Sequence, residues 1–290
     1  MNFPQTRQTL IQRIAATGAE DDWREFMIDY WRPVCRFAAR WGKIGVDDAE
    51  DVAAITFQAL ISGDLLSRWS QNRSAKLRTL LCTIVRNVLS NRARVSSGRQ
   101  RLLEENREAI LELASVQSID GSEASMASNE QVDAFYSAWV DELLQDTAES
   151  LLEDYLREGR GDYFRVLYGR ICERMTVPEI ANSLGLATTM IENYYRHAKQ
   201  RFGKSLKRLL DERLRRHSPP ERFSAEFQAE WDDLSDFLSR RGGIEKALSE
   251  SYQSFDSSEI RRHEVNAVTT FLKRISPTLR PEGPPGPRPR

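Results

Sequence analysis

The side chains best suited to chemistry lie in the stretch Thr176–Phe202, and they suit contact with DNA. Amides bind base edges through paired hydrogen bonds, and cationic groups bind guanine or phosphate. Helical spacing places one apolar set inward: Ile191, Tyr195, Ala198 and Phe202. The same spacing leaves a polar, mainly basic set outside: Glu192, Asn193, Arg196, His197, Lys199 and Arg201. The pattern therefore predicts a helix whose outer face contacts nucleic acid.

Two helix caps and a glycine turn are predicted to position this face. Thr176 followed by Glu179 fits a capping box at the start of a short helix. Gly185 is the turn residue that can adopt a positive φ. Thr189 followed by Glu192 repeats the capping signature and is expected to begin the second helix. A short helix, a tight turn and a basic second helix are typical of helix–turn–helix DNA-binding proteins. An ordinary αα-hairpin with a solvated basic face is the alternative.

The composition argues against a metal site, a disulfide framework and catalysis. The three cysteines, Cys35, Cys82 and Cys172, are far apart, and the three histidines are scattered. No glycine-rich phosphate loop and no histidine placed as a general base are present, so we expect no enzyme, no catalytic residue and no cofactor. The sequence shows neither a secretory signal nor an apolar run of membrane-spanning length, so we expect a cytoplasmic protein with no membrane contact.

The net charge of −1 conceals alternating charged blocks. Residues 65–103 contain nine Lys or Arg and no Asp or Glu, whereas residues 104–162 contain sixteen acidic and three basic residues. Residues 193–217 are basic again, with nine Lys or Arg against two acids. Two basic blocks separated by an acidic one suggest two surfaces that bind polyanions.

Helical periodicity recurs along the chain and strand alternation does not, so the fold is predicted to be all-α. Two small helical domains, at 1–95 and 130–217, are expected on either side of a flexible linker at 96–129. A short helix is possible in that linker at Arg101–Leu113. A helical extension at 218–276, ending in a helix at Glu259–Ile275, would precede a disordered proline-rich tail at 277–290.

The order of the motifs resembles an extracytoplasmic-function sigma factor of the sigma-70 family. An acidic Asp48-Ala49-Glu50-Asp51 motif is followed by Phe57, then by Arg86-Asn87 with Arg94, and then by Glu179-Ile180-Ala181. The resemblance covers roughly residues 20–95 and 130–216. The stretch Trp139–Arg160 and the C-terminal segment also resemble a subgroup often found beside Ser/Thr protein kinases.

The resemblance implies a sigma region 2 in the first domain and a sigma region 4 helix–turn–helix in the second. Its partners would be core RNA polymerase, through the β′ clamp and the β flap, promoter DNA, and an anti-sigma factor or a Ser/Thr kinase. The residues implied to bind the polymerase clamp are Asp47, Asp48, Glu50 and Asp51.

Two further residue sets would contact the promoter. The −10 element needs a flipped base in a polar pocket and cations for the single strand. The set for that element is Trp69, Arg78, Arg86, Asn87, Asn91 and Arg94. Asn87 is the base-contact candidate, while Trp69 stacks on a base or caps the core. The set for the −35 element is Thr188, Glu192, Asn193, Tyr194, Arg196, His197, Lys199, Arg201 and Lys204.

The chain departs from the family pattern at several of these places. Ala54 and Ile55 stand where a Gln and an acid are usual, and Leu80 replaces a Trp. Tyr194 and His197 occupy positions where Arg is common. Glu192 serves either as a helix-cap partner or as a groove residue. The −35 sequence therefore does not follow from the family.

Three interpretations of the function remain open, and the mode of regulation is open as well. The first interpretation is a promoter-selecting sigma factor. The second is a stand-alone helix–turn–helix regulator, and the third is a sigma mimic that sequesters an anti-sigma partner. The C-terminal extension either masks a basic surface with its acidic helix or is a solvated helix bundle. Thr56 is a candidate regulatory phosphorylation site, since a phosphate there would add negative charge toward the polymerase.

Overall fold

A computed structural model describes residues 10–62, 65–66, 69, 77–98, 128–218 and 220–253. Every regular element within these ranges is an α-helix, which confirms the all-α prediction. The described helices are α1 Leu10–Thr17, α2 Glu20–Gly42, α3 Val46–Ser62, α4 Leu77–Gly98, α5 Asn129–Arg157, α6 Gly161–Ile171, α7 Val177–Leu184, α8 Thr188–His217, α9 Pro220–Arg240 and α10 Ile244–Gln253. Within the described ranges, none of these helices is long and apolar enough to cross a membrane.

Several predicted features lie outside the described residues. They are the main part of the linker, the helix at Arg101–Leu113, the helix at Glu259–Ile275, the proline-rich tail and the side chain of Arg94.

The chain divides into two compact units. The described residues as far as Trp139 belong to the first unit, and those from Val140 onward belong to the second. In the first unit, α2, α3 and α4 pack around an aromatic core. Phe57, which follows the acidic motif, is fully buried and stacks on Trp31 with ring centroids 5.4 Å apart. Phe26 meets the edge of Phe57 at 6.0 Å. The core therefore fixes the face of α3 that carries its acidic residues outward.

In the second unit, α8 is the longest helix and the neighbouring helices pack along it. Ile191, Ala198 and Phe202 are buried, as their helical spacing predicts. The same face continues through Leu206 and Leu210, which are also buried. Burial of this continuous apolar face leaves the opposite face of α8 to solvent.

The C-terminal helices are built into the second unit by a buried ion pair. Arg241 donates from Nη1 to Asp141 Oδ1 at 2.7 Å, and the Asp141 side chain is wholly inaccessible to solvent. The same guanidinium donates to Glu250 Oε2 at 3.0 Å. Gln145 Nε2 also donates to the carbonyl oxygen of Ser251 at 2.7 Å. These bonds join α10 and the turn before it to α5, so α9 and α10 belong to the same unit as the helix–turn–helix.

Replacing Arg241 is expected to destabilise the second unit strongly. Arg241→Ala leaves the Asp141 carboxylate buried without its cation, which typically costs about 3–5 kcal/mol. The neighbouring Arg240 is exposed, and Arg240→Ala is expected to cost less than about 0.5 kcal/mol. Hydrogen–deuterium exchange of amides in residues 140–253 measures both effects. Equal loss of protection in the two variants would contradict the role given to Arg241.

Candidate nucleic-acid interface

The first helix of the predicted DNA-binding motif is capped as its sequence indicates. The backbone N–H of Thr176 donates to Glu179 Oε2 at 2.7 Å, and the backbone N–H of Glu179 donates to the Thr176 hydroxyl at 3.4 Å. These two bonds complete a capping box, with proline in the first turn of α7. The hydrogen bonds from the Thr176 backbone and hydroxyl lower the pKa of Glu179 below its ordinary value. The start of α7 is therefore set by residues 176–179.

The turn between the two helices depends on Gly185. Its φ is 66°, in the left-handed region, and its N–H bonds to the carbonyl of Ala181. Leu186, next in the chain, packs against the small core formed by Val166, Ile180 and Ile191. The glycine permits the reversal, as the sequence predicted, and the leucine anchors it.

The second cap was predicted wrongly. The N-cap of α8 is Ala187, which offers no side-chain bond, and the helix begins at Thr188. The Ala187 carbonyl accepts from the N–H groups of Met190 and Ile191 at 2.9 and 3.2 Å. Thr189 is thus already inside the helix and cannot cap it, because a cap residue has non-helical backbone angles. Packing of the turn, rather than the threonine signature, fixes the start of α8.

One stripe of α8 carries exposed polar side chains, which we call the outer stripe. It consists of Asn193, Arg196, Gln200 and Lys204, at helical spacing on one face. Within the described residues, no hydrogen bond or ion pair to another side chain holds these four groups. Thr188 and Glu192 are exposed on the same helix. The set predicted from the sequence omits Gln200, which is uncharged, although an amide suits a base edge as well as a cation does.

Aromatic contacts engage Tyr194 and His197 beside the outer stripe. Tyr194 stacks on Tyr163 with ring centroids 3.9 Å apart. His197 Nδ1 lies 3.0 Å from the hydroxyl of the buried Tyr155. These two α8 residues, which the sequence predicts to contact the −35 element, pack α8 against α5 and α6.

Arg201 is held by the end of α5. Its Nη1 donates to Glu158 Oε2 at 2.7 Å, and its guanidinium lies 4.6 Å from the centroid of the Tyr155 ring. The hydrogen bond from Arg201 lowers the pKa of Glu158. Arg201 thus serves an intramolecular contact, although the sequence assigned it to phosphate.

Lys199 is engaged by the C-terminal segment. Its Nζ forms an ion pair with Glu245 of α10. The same carboxylate bonds to Tyr195. Burial, and to a smaller extent this bond, raises the pKa of Tyr195 to about 12. Of the nine residues predicted for the −35 element, five are exposed on α8 without such contacts: Thr188, Glu192, Asn193, Arg196 and Lys204.

The helix α9 covers two further cations of α8 with aromatic rings. Lys207 Nζ lies 5.4 Å from the ring centroid of Trp231 and 5.8 Å from that of Phe227. The guanidinium of Arg215 lies 4.1 Å from the ring centroid of Phe223. One of the two alternatives from the sequence was masking by the acidic residues of this helix, whereas these contacts are cation–π interactions. Lys207 and Arg215 are therefore in contact with α9, although both remain exposed.

The acidic motif of the first unit presents two exposed carboxylates, those of Asp47 and Asp51. Asp48 forms an ion pair with Arg92 of α4, and Glu50 is half-buried. The four acids predicted to bind polymerase therefore differ in availability.

Four of the six residues predicted for the −10 element, Arg78, Arg86, Asn87 and Asn91, lie on α4 at intermediate exposure. Arg86 Nη2 donates to Asn87 Oδ1 at 3.0 Å, which orients the amide of the base-contact candidate. Arg78 lies 4.2 Å from the ring centroid of Tyr136. Asn91 and Trp69 are half-buried. The structure thus brings Arg86 and Asn87 together, as their adjacency suggested.

Thr56 is not accessible for phosphorylation in this fold. Its side chain is fully buried, and its hydroxyl donates to the carbonyl of Val52 at 2.8 Å. A phosphate would bring a double negative charge into the core beside Phe57. The sequence-based prediction of a regulatory site at Thr56 is therefore corrected.

The cysteines are poorly suited to chemistry. Burial raises the pKa of Cys82 and of Cys172 to about 12, so both are thiols at neutral pH. Within the described ranges, no cluster of three or more His, Cys, Asp or Glu side chains is arranged to hold a metal ion.

The geometry therefore combines a capped helix–turn–helix with an exposed stripe of amides and cations. No protein-family model matches the chain, and no curated protein or solved structure is detectably similar to it. Function is inferred from this geometry and from the order of the sequence motifs.

Substituting the turn glycine is expected to destabilise the motif, while a matched glycine nearby tolerates the same change. Gly185→Ala forces a side chain into the left-handed region at a cost of about 1–2 kcal/mol. Gly203 lies within α8 with open space around it, so Gly203→Ala is expected to stabilise by about 0.5–1 kcal/mol. Urea denaturation followed by circular dichroism measures both. The same sign for the two substitutions would refute this account of the turn.

The capping box is expected to lose its effect in acid. Because the folded state lowers the pKa of Glu179, its contribution is present above the ordinary pKa of 4.5 and is lost as the pH falls through the folded value. Glu179→Gln retains an acceptor that does not titrate. The difference in urea midpoint between wild type and Glu179→Gln should therefore be constant above about pH 6 and should shrink as the pH falls toward about 3. Thr176→Val removes the hydroxyl bond to Glu179 but keeps the backbone N–H bond, which contributes most to the lowered pKa. In that background the pH dependence should therefore be smaller but still present, and a dependence of unchanged size would show that the hydroxyl bond does not contribute.

Proposed function

We propose that this protein is a promoter-selecting sigma factor, which binds core RNA polymerase and directs it to particular promoters. The observation that carries the proposal is the outer stripe on α8, behind a capped helix and a glycine turn. A recognition helix must enter a major groove with amides and cations pointing outward. Asn193 and Gln200 supply the amides, and Arg196 and Lys204 supply the cations.

Two features of the first unit suit contacts other than duplex binding, namely with a basic partner surface and with an unpaired base. The exposed carboxylates of Asp47 and Asp51 lie at the start of α3, where they suit a basic partner surface. The Arg86–Asn87 pair on α4 provides a cation beside an oriented amide, a combination that suits an unpaired base and its phosphate. A stand-alone repressor needs neither feature.

Run-off transcription with core RNA polymerase tests the proposal. Charge reversal at Asp47 and Asp51 should abolish polymerase binding and transcription while duplex binding is retained. These two positions are preferable to Asp48, because reversal at Asp48 would also break its ion pair with Arg92. Reversal of the exposed Asp236 of α9 is the matched control and should leave transcription unchanged. Unaltered transcription after reversal at Asp47 and Asp51 would favour a stand-alone regulator instead.

Two cations of the outer stripe, Arg196 and Lys204, are expected to affect duplex binding in different ways. Arg196→Ala should cost about 1–3 kcal/mol and relax preference at one base pair, because guanine accepts two bonds from arginine. Lys204→Ala should weaken binding to all sequences alike and reduce the salt slope by about 1. Fluorescence anisotropy with selected and random duplexes measures both. Identical behaviour of the two variants would count against a base-reading role for Arg196.

A further inference from the structure

The contact between α8 and α10 places a carboxylate beside the outer stripe. Glu245 lies at the start of α10 and pairs with Lys199, which is three residues after Arg196 on α8. Residues three apart are neighbours on a helix surface, so Lys199 borders the outer stripe directly. Glu245 therefore lies on the flank of the surface that faces DNA in the proposed function.

The pair is accessible to a competing anion. The Lys199 side chain is 50% exposed and the Glu245 side chain is 42% exposed, so solvent reaches both ends of the ion pair. Tyr195 bonds to the Glu245 carboxylate. The Arg170 guanidinium, which lies 5.1 Å from the centroid of the Tyr195 ring, attracts the carboxylate electrostatically. The carboxylate thus interacts with Lys199, Tyr195 and Arg170, whereas Glu245 is the ion-pair partner of the lysine ammonium within the described residues.

A lysine held in this way cannot also neutralise a DNA phosphate. Each phosphate contact releases condensed counterions and adds about 0.9 to the slope of log affinity against log salt. A carboxylate at the same place removes one such contact and adds repulsion toward the next phosphate. The position of this carboxylate, rather than its contribution to net charge, determines its effect on the affinity for DNA.

We propose that Glu245 competes with DNA phosphate for Lys199, and that the C-terminal segment thereby limits the affinity of the helix–turn–helix for duplex DNA. The inference rests on the proposed function, since it assigns an affinity-determining residue to the same surface. Glu245 touches no DNA in this arrangement. It acts through Lys199 as a positioning residue, and the experiment therefore measures the salt slope as well as the affinity.

The test uses the full chain and a fluorescein-labelled random-sequence DNA duplex, with anisotropy recorded between about 50 and about 200 mM salt. Glu245→Gln keeps the shape and an acceptor for Tyr195 but releases Lys199. It should tighten binding and steepen the salt slope by about 0.9, so that its advantage over wild type falls about threefold across this range. Asp236→Asn on α9 changes the net charge equally at an exposed site and should leave the slope unchanged.

A second substitution separates release of Lys199 from a general change in fold. Lys199→Ala should leave the slope of the wild-type chain unaltered, because its ammonium is already engaged. In the Glu245→Gln background, Lys199→Ala should remove the added slope. Circular dichroism and amide exchange of α8 should be the same for all variants, which excludes unfolding as the cause.

The outcomes distinguish this inference from the proposed function. Suppose that the wild-type chain binds duplex DNA and that Lys204→Ala weakens this binding, but that Glu245→Gln has the same salt slope as wild type. This result overturns the competition and leaves the proposed function standing. A wild-type chain that binds no duplex even at about 50 mM salt overturns both. An equal gain from Asp236→Asn would assign the effect to net charge and would also overturn the competition.

Discussion

Burial of one face of α8 is the constraint on which the candidate interface depends. Ile191, Ala198 and Phe202 must be removed from water, and their burial fixes the rotation of the helix about its own axis. The rotation in turn decides which side chains remain outside. The outer stripe is therefore a consequence of the core. Rotation of the helix by one residue would replace its four side chains with Tyr194, His197, Arg201 and Ser205, or with Glu192, Tyr195, Lys199 and Gly203.

Local signals in the sequence identified the fold of this motif well. The capping box at Thr176, the left-handed Gly185 and the buried face of α8 follow from short-range rules that need no knowledge of distant residues. The Thr189 cap failed because the same threonine–glutamate spacing also occurs one residue inside a helix. Similarly, the all-α class was predictable from periodicity, since tertiary packing did not have to override it.

The availability of charged groups was not predictable from sequence. Helical spacing places Arg201 and Lys199 on the surface, but their partners Glu158 and Glu245 are 43 and 46 residues away in the chain. Helical periodicity describes one helix and contains nothing about the helix that packs beside it. Thr56 shows the converse error, because a hydroxyl that bonds to the carbonyl four residues earlier can lie in the core without any signature of burial.

The ion pair of Arg241 has a consequence for the order in which the protein is made. Asp141 and Arg241 are 100 residues apart, and Glu250 follows later still. A chain leaving the ribosome exposes Asp141 and the whole helix–turn–helix before either Arg241 or α10 has been synthesised. The second unit therefore cannot pair its buried charges while the helix–turn–helix is being synthesised. Its folding awaits the synthesis of Arg241 and α10, whereas α2, α3 and α4 are already available to assemble.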